Sequence, residues 1–168
     1  VDPAWLEGLD CQPIETGAQL QQQLRHRQPG VEAIAMAAAV ADHRPAVAQS
    51  HKSDKQALAE QLQGGWEEVP DLLMELVQHR PAGQRILGFA AHSGAVLPQA
   101  QAKFARKGCD LLFANPIDQQ GVGFAAALNR GWLLGPGEAV ETLEPQPKLA
   151  LAHRLLSALG ALLSSGQG

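Results

Sequence analysis

Cysteine is scarce in this chain: Cys11 and Cys109 are the only two in 168 residues, far apart and in no metal-ligand spacing. A disulfide framework is thereby excluded, and a reducing, cytoplasmic setting is the expectation. Charge is sparse as well, at 18% of residues against roughly 25% in average proteins. The balance is acidic, with a net charge of -4. A chain without a basic stripe is a poor match for nucleic acid, so no nucleic-acid partner is expected. Nucleotide binding is not excluded, because it asks only for a few well-placed cations. No apolar run approaches the roughly 20 residues that span a membrane, and no membrane partner is expected. The opening, VDPAWLEGLD, has no basic leader and no initiator Met. It reads as a start in mid-pattern, without a signal peptide, as in a fragment of something longer. Familiar site motifs are missing too. There is no GxxxxGK[ST] loop, no GxGxxG after a strand and no HExxH. Asp42, His43 and Ser93 could be assembled on paper into a hydrolytic triad, but no nucleophile elbow accompanies them.

What the chain has is Ala and Leu, in an order that alternates strands with helices. Residues 18–27 (AQLQQQLRHR) carry Leu20 and Leu24 at i, i+4 and predict a helix stopped by Gln28-Pro29-Gly30. Residues 31–40 (VEAIAMAAAV) form a continuous apolar run that fits a doubly buried strand. Residues 42–65 are polar and read as a long surface loop, a length more often functional than accidental. A short helix is expected over 71–79, with Pro70 as its first residue. A second strand follows at 84–91, then a helix at 97–107 ended by Gly108. A third strand is expected at 110–114 and a fourth, short one at 132–134. The closing helix is placed at 147–163 and a frayed tail after it. No repeat or linker interrupts the pattern, so residues 1–168 are read as a single domain. Alternation of this kind predicts an α/β fold with a mostly parallel sheet between helices. Ligands then bind beyond the carboxyl ends of the strands.

Three segments fall at such ends: residues 38–44, 90–94 and 115–123. In AAAVADHRP the alanines leave room for a ligand against the backbone, and Asp42 places one carboxylate at the mouth. That carboxylate can hold Mg²⁺ together with phosphates, or simply begin a loop as a surface acid. In HKSDK, Lys52 and Lys55 can close over a polyphosphate or stay solvated. In GFAAHSG, Phe89 can stack on a base or belong to the core. Lys103 and Lys107 are i, i+4 on one helix face, which suits a phosphate and suits water equally.

Taken together, AMAAAVADHRP, KSDK, VPDLL, ILGFAAHSG and KFARKGCDLLFANPID resemble, in order, the motifs of the phosphopantothenoylcysteine synthetase family. That family is often fused behind an FMN-dependent decarboxylase, so FMN is expected only outside this chain. The resemblance implies a Rossmann-like three-layer sandwich. It implies a CTP-dependent ligation of L-cysteine to 4′-phosphopantothenate through an acyl-cytidylate, with Mg²⁺, in coenzyme A synthesis. A homodimer is expected on the same ground. By position, Met36, Ala37 and Ala38 resemble the stretch lining the nucleotide and substrate site. Asp42 resembles the nucleotide-site acid and metal ligand. Lys52 resembles the loop lysine on the triphosphate, and the loop is expected to close over it. Pro70, Asp71, Leu72 and Leu73 resemble the turn beside the nucleotide. Phe89 resembles the aromatic at the cytosine, and Lys103 and Lys107 the helix lysines on the nucleotide.

The chain also departs from the family pattern. Glu-Thr after GFAA is His92-Ser93, the Asn before PDIL is Val69, and Gly-Ser-Asp becomes Ala125, Ala126 and Ala127. The Gly-rich GGTxEPID segment and the Asn–His–Ser–Ser–Gly segment that carries the catalytic Asn do not occur in the sequence. No catalytic side chain is therefore expected in this chain, and an incomplete active site is. The alternative to a ligase is a non-catalytic nucleotide-binding or interaction module derived from one.

Overall fold

The computed structural model describes residues 6–47, 58, 64–119, 121, 123 and 126–165. Its elements run α1 (Gly17–Arg27), β1 (Ala33–Met36), β2 (His43–Pro45), β3 (Trp66–Glu68), α2 (Leu72–Gln78), β4 (Arg85–His92) and α3 (Val96–Lys107). They continue with β5 (Leu111–Pro116), β6 (Leu128–Leu134), β7 (Val140–Pro147) and α4 (Lys148–Ser165). Among the described residues, five strands form one sheet in the order β1-β4-β5-β6-β7. The β1–β4 and β4–β5 pairs are parallel, and the β5–β6 and β6–β7 pairs antiparallel. Four strands therefore point one way and β6 alone the other.

Alternation along the strands sorts the side chains onto two faces. Met36, Ile86, Ala90, Leu112, Ala114 and Leu134 pack under α1, α2 and α3. Leu87, Leu111, Phe113, Leu133 and Leu143 pack against Leu151, Leu155 and Leu159 of α4. The result is helix, sheet and helix in three layers, as expected from the alternating pattern. Gly88 sets how closely the first layer approaches, since a Cβ there would lie 2.8 Å from Leu73 Cδ2. Gly108 ends α3 in the left-handed conformation at φ 68°, so β5 can start at once.

Several boundaries differ from the sequence reading. The apolar run 31–40 is a strand only over Ala33–Met36; beyond it the alanines leave the sheet and line a cavity. Residues 42–65 are not all loop, because His43–Pro45 pairs antiparallel with Trp66–Glu68. Pro70 does not start α2. Asp71 is its N-cap, accepting from the Met74 N–H at 3.2 Å, and Pro70 lies before it. The fourth strand begins at Leu128 rather than 132, and β7 was not expected at all. Pro147 closes β7 instead of opening α4, which begins at Lys148. At α1, Thr16 and Gln19 form a reciprocal capping box that fixes the helix start. No helix among the described residues is long and apolar enough to cross a membrane.

Candidate functional site

A cavity of about 480 Å³ opens at the carboxyl ends of the parallel strands. One wall is the stretch from Met36 to Asp42, where the small side chains of Ala37, Ala38 and Ala39 leave the backbone exposed. The turn Val69-Pro70-Asp71 and the first residues of α2, Leu72 and Leu73, form a second wall. The floor is the end of β4, from Phe89 to Ala91. Lys103 and Lys107 enter from α3. Eleven of the twelve residues singled out from sequence thus converge on one cavity: Met36, Ala37, Ala38, Asp42, Pro70, Asp71, Leu72, Leu73, Phe89, Lys103 and Lys107. The twelfth, Lys52, and its neighbour Lys55 lie outside the described residues.

The two lysines are not solvated surface residues. Lys107 is 9% exposed, and its ammonium pairs with the Asp71 carboxylate. Lys103 is half-buried and donates to the Phe89 carbonyl at 3.2 Å. Burial holds both amines below the usual lysine value, and Arg106 adds to the effect at Lys103. Asp42 pulls in the other direction on both, so its carboxylate acts across the cavity on each lysine. Asp42 itself is exposed, and its backbone carbonyl accepts from the Val69 N–H at 2.9 Å, tying β2 to the turn before α2. The arrangement is a concave floor of backbone and small side chains, with two desolvated cations on one side and, at the rim, the Asp42 carboxylate, which makes no hydrogen bond among the described residues. Such a set can hold a polyphosphate.

Phe89 reaches the cavity from the α4 side of the sheet. Its ring meets Phe113 edge to face, with centroids 6.0 Å apart, and packs on the Leu cluster under α4. The core reading of this residue therefore holds, and the residue also lines the cavity.

Asn115, Gly123, Asn129 and Lys148 also line the cavity and were given no role from sequence. Lys148 carried a signal that was not used. It is the first residue of α4, where a cation opposes the helix dipole, so its placement asks for another reason. His92, where the family has Glu, sits one residue beyond the cavity floor, and its Nε2 is buried without a hydrogen-bond partner among the described residues. Burial, and secondarily Lys103, push its imidazole below the ordinary value. Among the described residues, no group of three or more His, Cys, Asp or Glu could hold a metal.

Comparison with known proteins agrees with this geometry. A family described as "DNA/pantothenate metabolism flavoprotein C-terminal domain" matches residues 2–162. The Coenzyme A biosynthesis bifunctional protein CoaBC of Mycolicibacterium smegmatis is 35% identical over all of this chain and 42% of its own length. The CoaBC protein of Mycobacterium tuberculosis (strain H37Rv) is 34% identical over 98% of this chain and 40% of its own. The chain thus spans less than half the length of these relatives. A crystal structure of a CoaBC C-terminal domain superposes with a TM-score of 0.69 at 22% identity, covering 90% of this chain and 67% of that one. A DNA/pantothenate metabolism flavoprotein from Streptococcus pneumoniae superposes at 0.66 with 18% identity, covering 90% of this chain and 70% of that one. At such identity these two show the shared fold alone.

Proposed function

The chain belongs to the DNA/pantothenate metabolism flavoprotein C-terminal domain family, and from that premise we propose that it is the nucleotide-binding part of a phosphopantothenate–cysteine ligase acting in coenzyme A synthesis. CTP is the proposed co-substrate. The carboxylate of 4′-phosphopantothenate attacks the α-phosphorus and pyrophosphate leaves, giving an acyl-cytidylate. The amine of L-cysteine then adds to the acyl carbon and CMP departs, leaving the amide and a proton.

The observation that carries the reading is the convergence of Asp42, Asp71, Lys103 and Lys107 on one cavity at the carboxyl ends of β1 and β4. Charge develops on the phosphates during activation, and cations already desolvated and aimed at them stabilise it without reorganisation. Lys103 and Lys107 meet that requirement, being held by the Phe89 carbonyl and by Asp71. The alanines at 37–39 let the base or the pantothenate arm lie on the main chain, which can read cytosine through its N–H and C=O groups. The donor set fits Mg²⁺ carried in on a polyphosphate rather than a resident ion. Asp42 offers one carboxylate, and Mg²⁺ is commonly held by one or two carboxylates plus phosphates. When bound, the ion would neutralise phosphate charge beside Asp42. None of the lining groups named here is assigned as nucleophile or base. This chain's part is to bind, orient and exclude water.

Calorimetry tests the co-substrate. CTP with Mg²⁺ should bind in preference to ATP. Equal or tighter ATP binding would sink the cytosine assignment while leaving the polyphosphate site standing.

A further inference from the structure

Asp71 lines the cavity, and each of its carboxylate oxygens already accepts a hydrogen bond. Oδ1 accepts from the Met74 N–H at 3.2 Å and caps α2. Oδ2 accepts from the ammonium of Lys107. The two residues differ in exposure: the Lys107 side chain is 9% exposed and that of Asp71 38%. Among the described residues Lys107 is therefore a desolvated cation with a single charged hydrogen-bond partner, and that partner is anchored to a helix start. It is also the last residue of α3, so its stem is fixed by the helix and by the sharp turn at Gly108. Lys103, one turn earlier, has no carboxylate in hydrogen-bond contact among the described residues and donates to a backbone carbonyl instead. The two lysines on one face are thus in different states before any ligand arrives.

We propose that Asp71 is a positioning residue: it holds Lys107 in the cavity and is the counter-ion that an entering phosphate chain must displace. This rests on the reading of the cavity as a polyphosphate site. Breaking the Asp71–Lys107 pair lowers by the same amount the affinity of every anion that takes Lys107, and a chain of phosphates that also engages Lys103 offsets the loss. The charge of Asp71 thereby sets how tightly the cavity holds a polyphosphate, separately from its role as a cap.

The test is calorimetric titration with sodium tripolyphosphate and with orthophosphate on the whole chain, for wild type, Asp71→Asn, Lys107→Ala and the double variant. Asn is as good an N-cap as Asp, so Asp71→Asn keeps α2 while it removes the charge and the second oxygen to which Lys107 donates. Melting curves confirm that the fold is retained. Asp71→Asn should bind tripolyphosphate roughly three- to tenfold tighter, a difference of the size expected of one coupled charge. Orthophosphate, which can bind at Lys103 without breaking the pair, should gain no more than tripolyphosphate does. Lys107→Ala should bind tripolyphosphate at least about tenfold more weakly. The double variant should recover part of that loss, because the bare carboxylate is gone. A cap without an electrostatic role would leave Asp71→Asn equal to wild type and the double variant equal to Lys107→Ala. Unchanged or weaker binding by Asp71→Asn, or no recovery in the double variant, overturns the proposal while leaving the site reading intact. Failure of the wild type to bind tripolyphosphate overturns both.

Discussion

Asp110 and Asp42 lie at opposite ends of the parallel strands, and they differ in what their surroundings leave over. Asp110, just before β5, accepts from Arg80 at 2.8 Å, from Arg85 at 3.4 Å and from the Ile86 N–H at 2.8 Å. Nearby, Gln28 and Gln84 are buried and bond each other, the carbonyls of Gln28, Leu76 and Val31 closing the network. At that end every polar group named is answered by the protein. At the other end Asp42 makes no side-chain hydrogen bond among the described residues, and a buried ammonium at Lys103 has one carbonyl partner. The same residue types thus make a joint at one end of the sheet and a receptor at the other. Polar capacity that the fold does not use, gathered beside a cavity, is the physical mark of the receptor.

Breaking the joint should have the largest effect, and on stability alone. Asp110→Ala leaves two guanidinium groups and a strand N–H without their acceptor, and should lower unfolding free energy by about 2–3 kcal/mol in urea denaturation. Nucleotide affinity, measured well below the melting point, should stay where it was. An intact Asp110→Ala protein that no longer bound CTP would mean that the two ends are coupled after all. Lys103→Ala should do the converse. It should weaken CTP binding by about 1–3 kcal/mol, the range for a charged hydrogen bond lost. Its melting temperature should hold or rise, because burial of the amine is a cost to the fold. An unchanged dissociation constant would return Lys103 to a structural role.

The sequence alone made the joint hard to see and the receptor easy. Gln28, Gln84 and Asp110 carry no pattern, since their partners lie 24 to 56 residues away. The receptor segments are contiguous and ordered, so their resemblance to a family could be read motif by motif. Alternation of strands with helices led to the parallel set β1, β4 and β5. It failed for β7, whose sequence VETLEPQP mixes acids with two prolines and reads as loop. That strand is stabilised by its pairing with β6, including a register shift opposite Asn129 and Gly131. The run 31–40 misled in the other direction. Hydrophobicity predicted a long strand, but alanine lacks the bulk to pack on both faces, and the chain leaves the sheet after Met36. Lys148 was missed because it reaches the cavity from the far end of the chain.

The smallest expected effect concerns His92, which stands between the two regimes. It ends β4 beside the receptor, yet its Nε2 is buried and unpartnered, as nothing at the joint is. Burial chiefly, and Lys103 after it, hold the imidazole below the usual value. The folded chain therefore binds this proton less readily than the unfolded chain. The resulting stability is fully present above the unfolded value, near 6.5, and is lost as pH falls through it towards the folded value. Melting temperatures between pH 5 and pH 7.5 should accordingly fall less steeply with acid in His92→Gln than in the wild type. Carboxylates elsewhere titrate in both proteins, so the difference between the two curves is the quantity that reports on His92. His92→Glu, which places the family's acid beside Lys103, should raise the lysine's affinity for its proton by direct attraction. CTP binding should then persist to higher pH than in the wild type. Parallel melting curves for His92→Gln and wild type would show that the imidazole is solvated on both sides of the transition, and its place at the edge of the receptor would be one of shape alone.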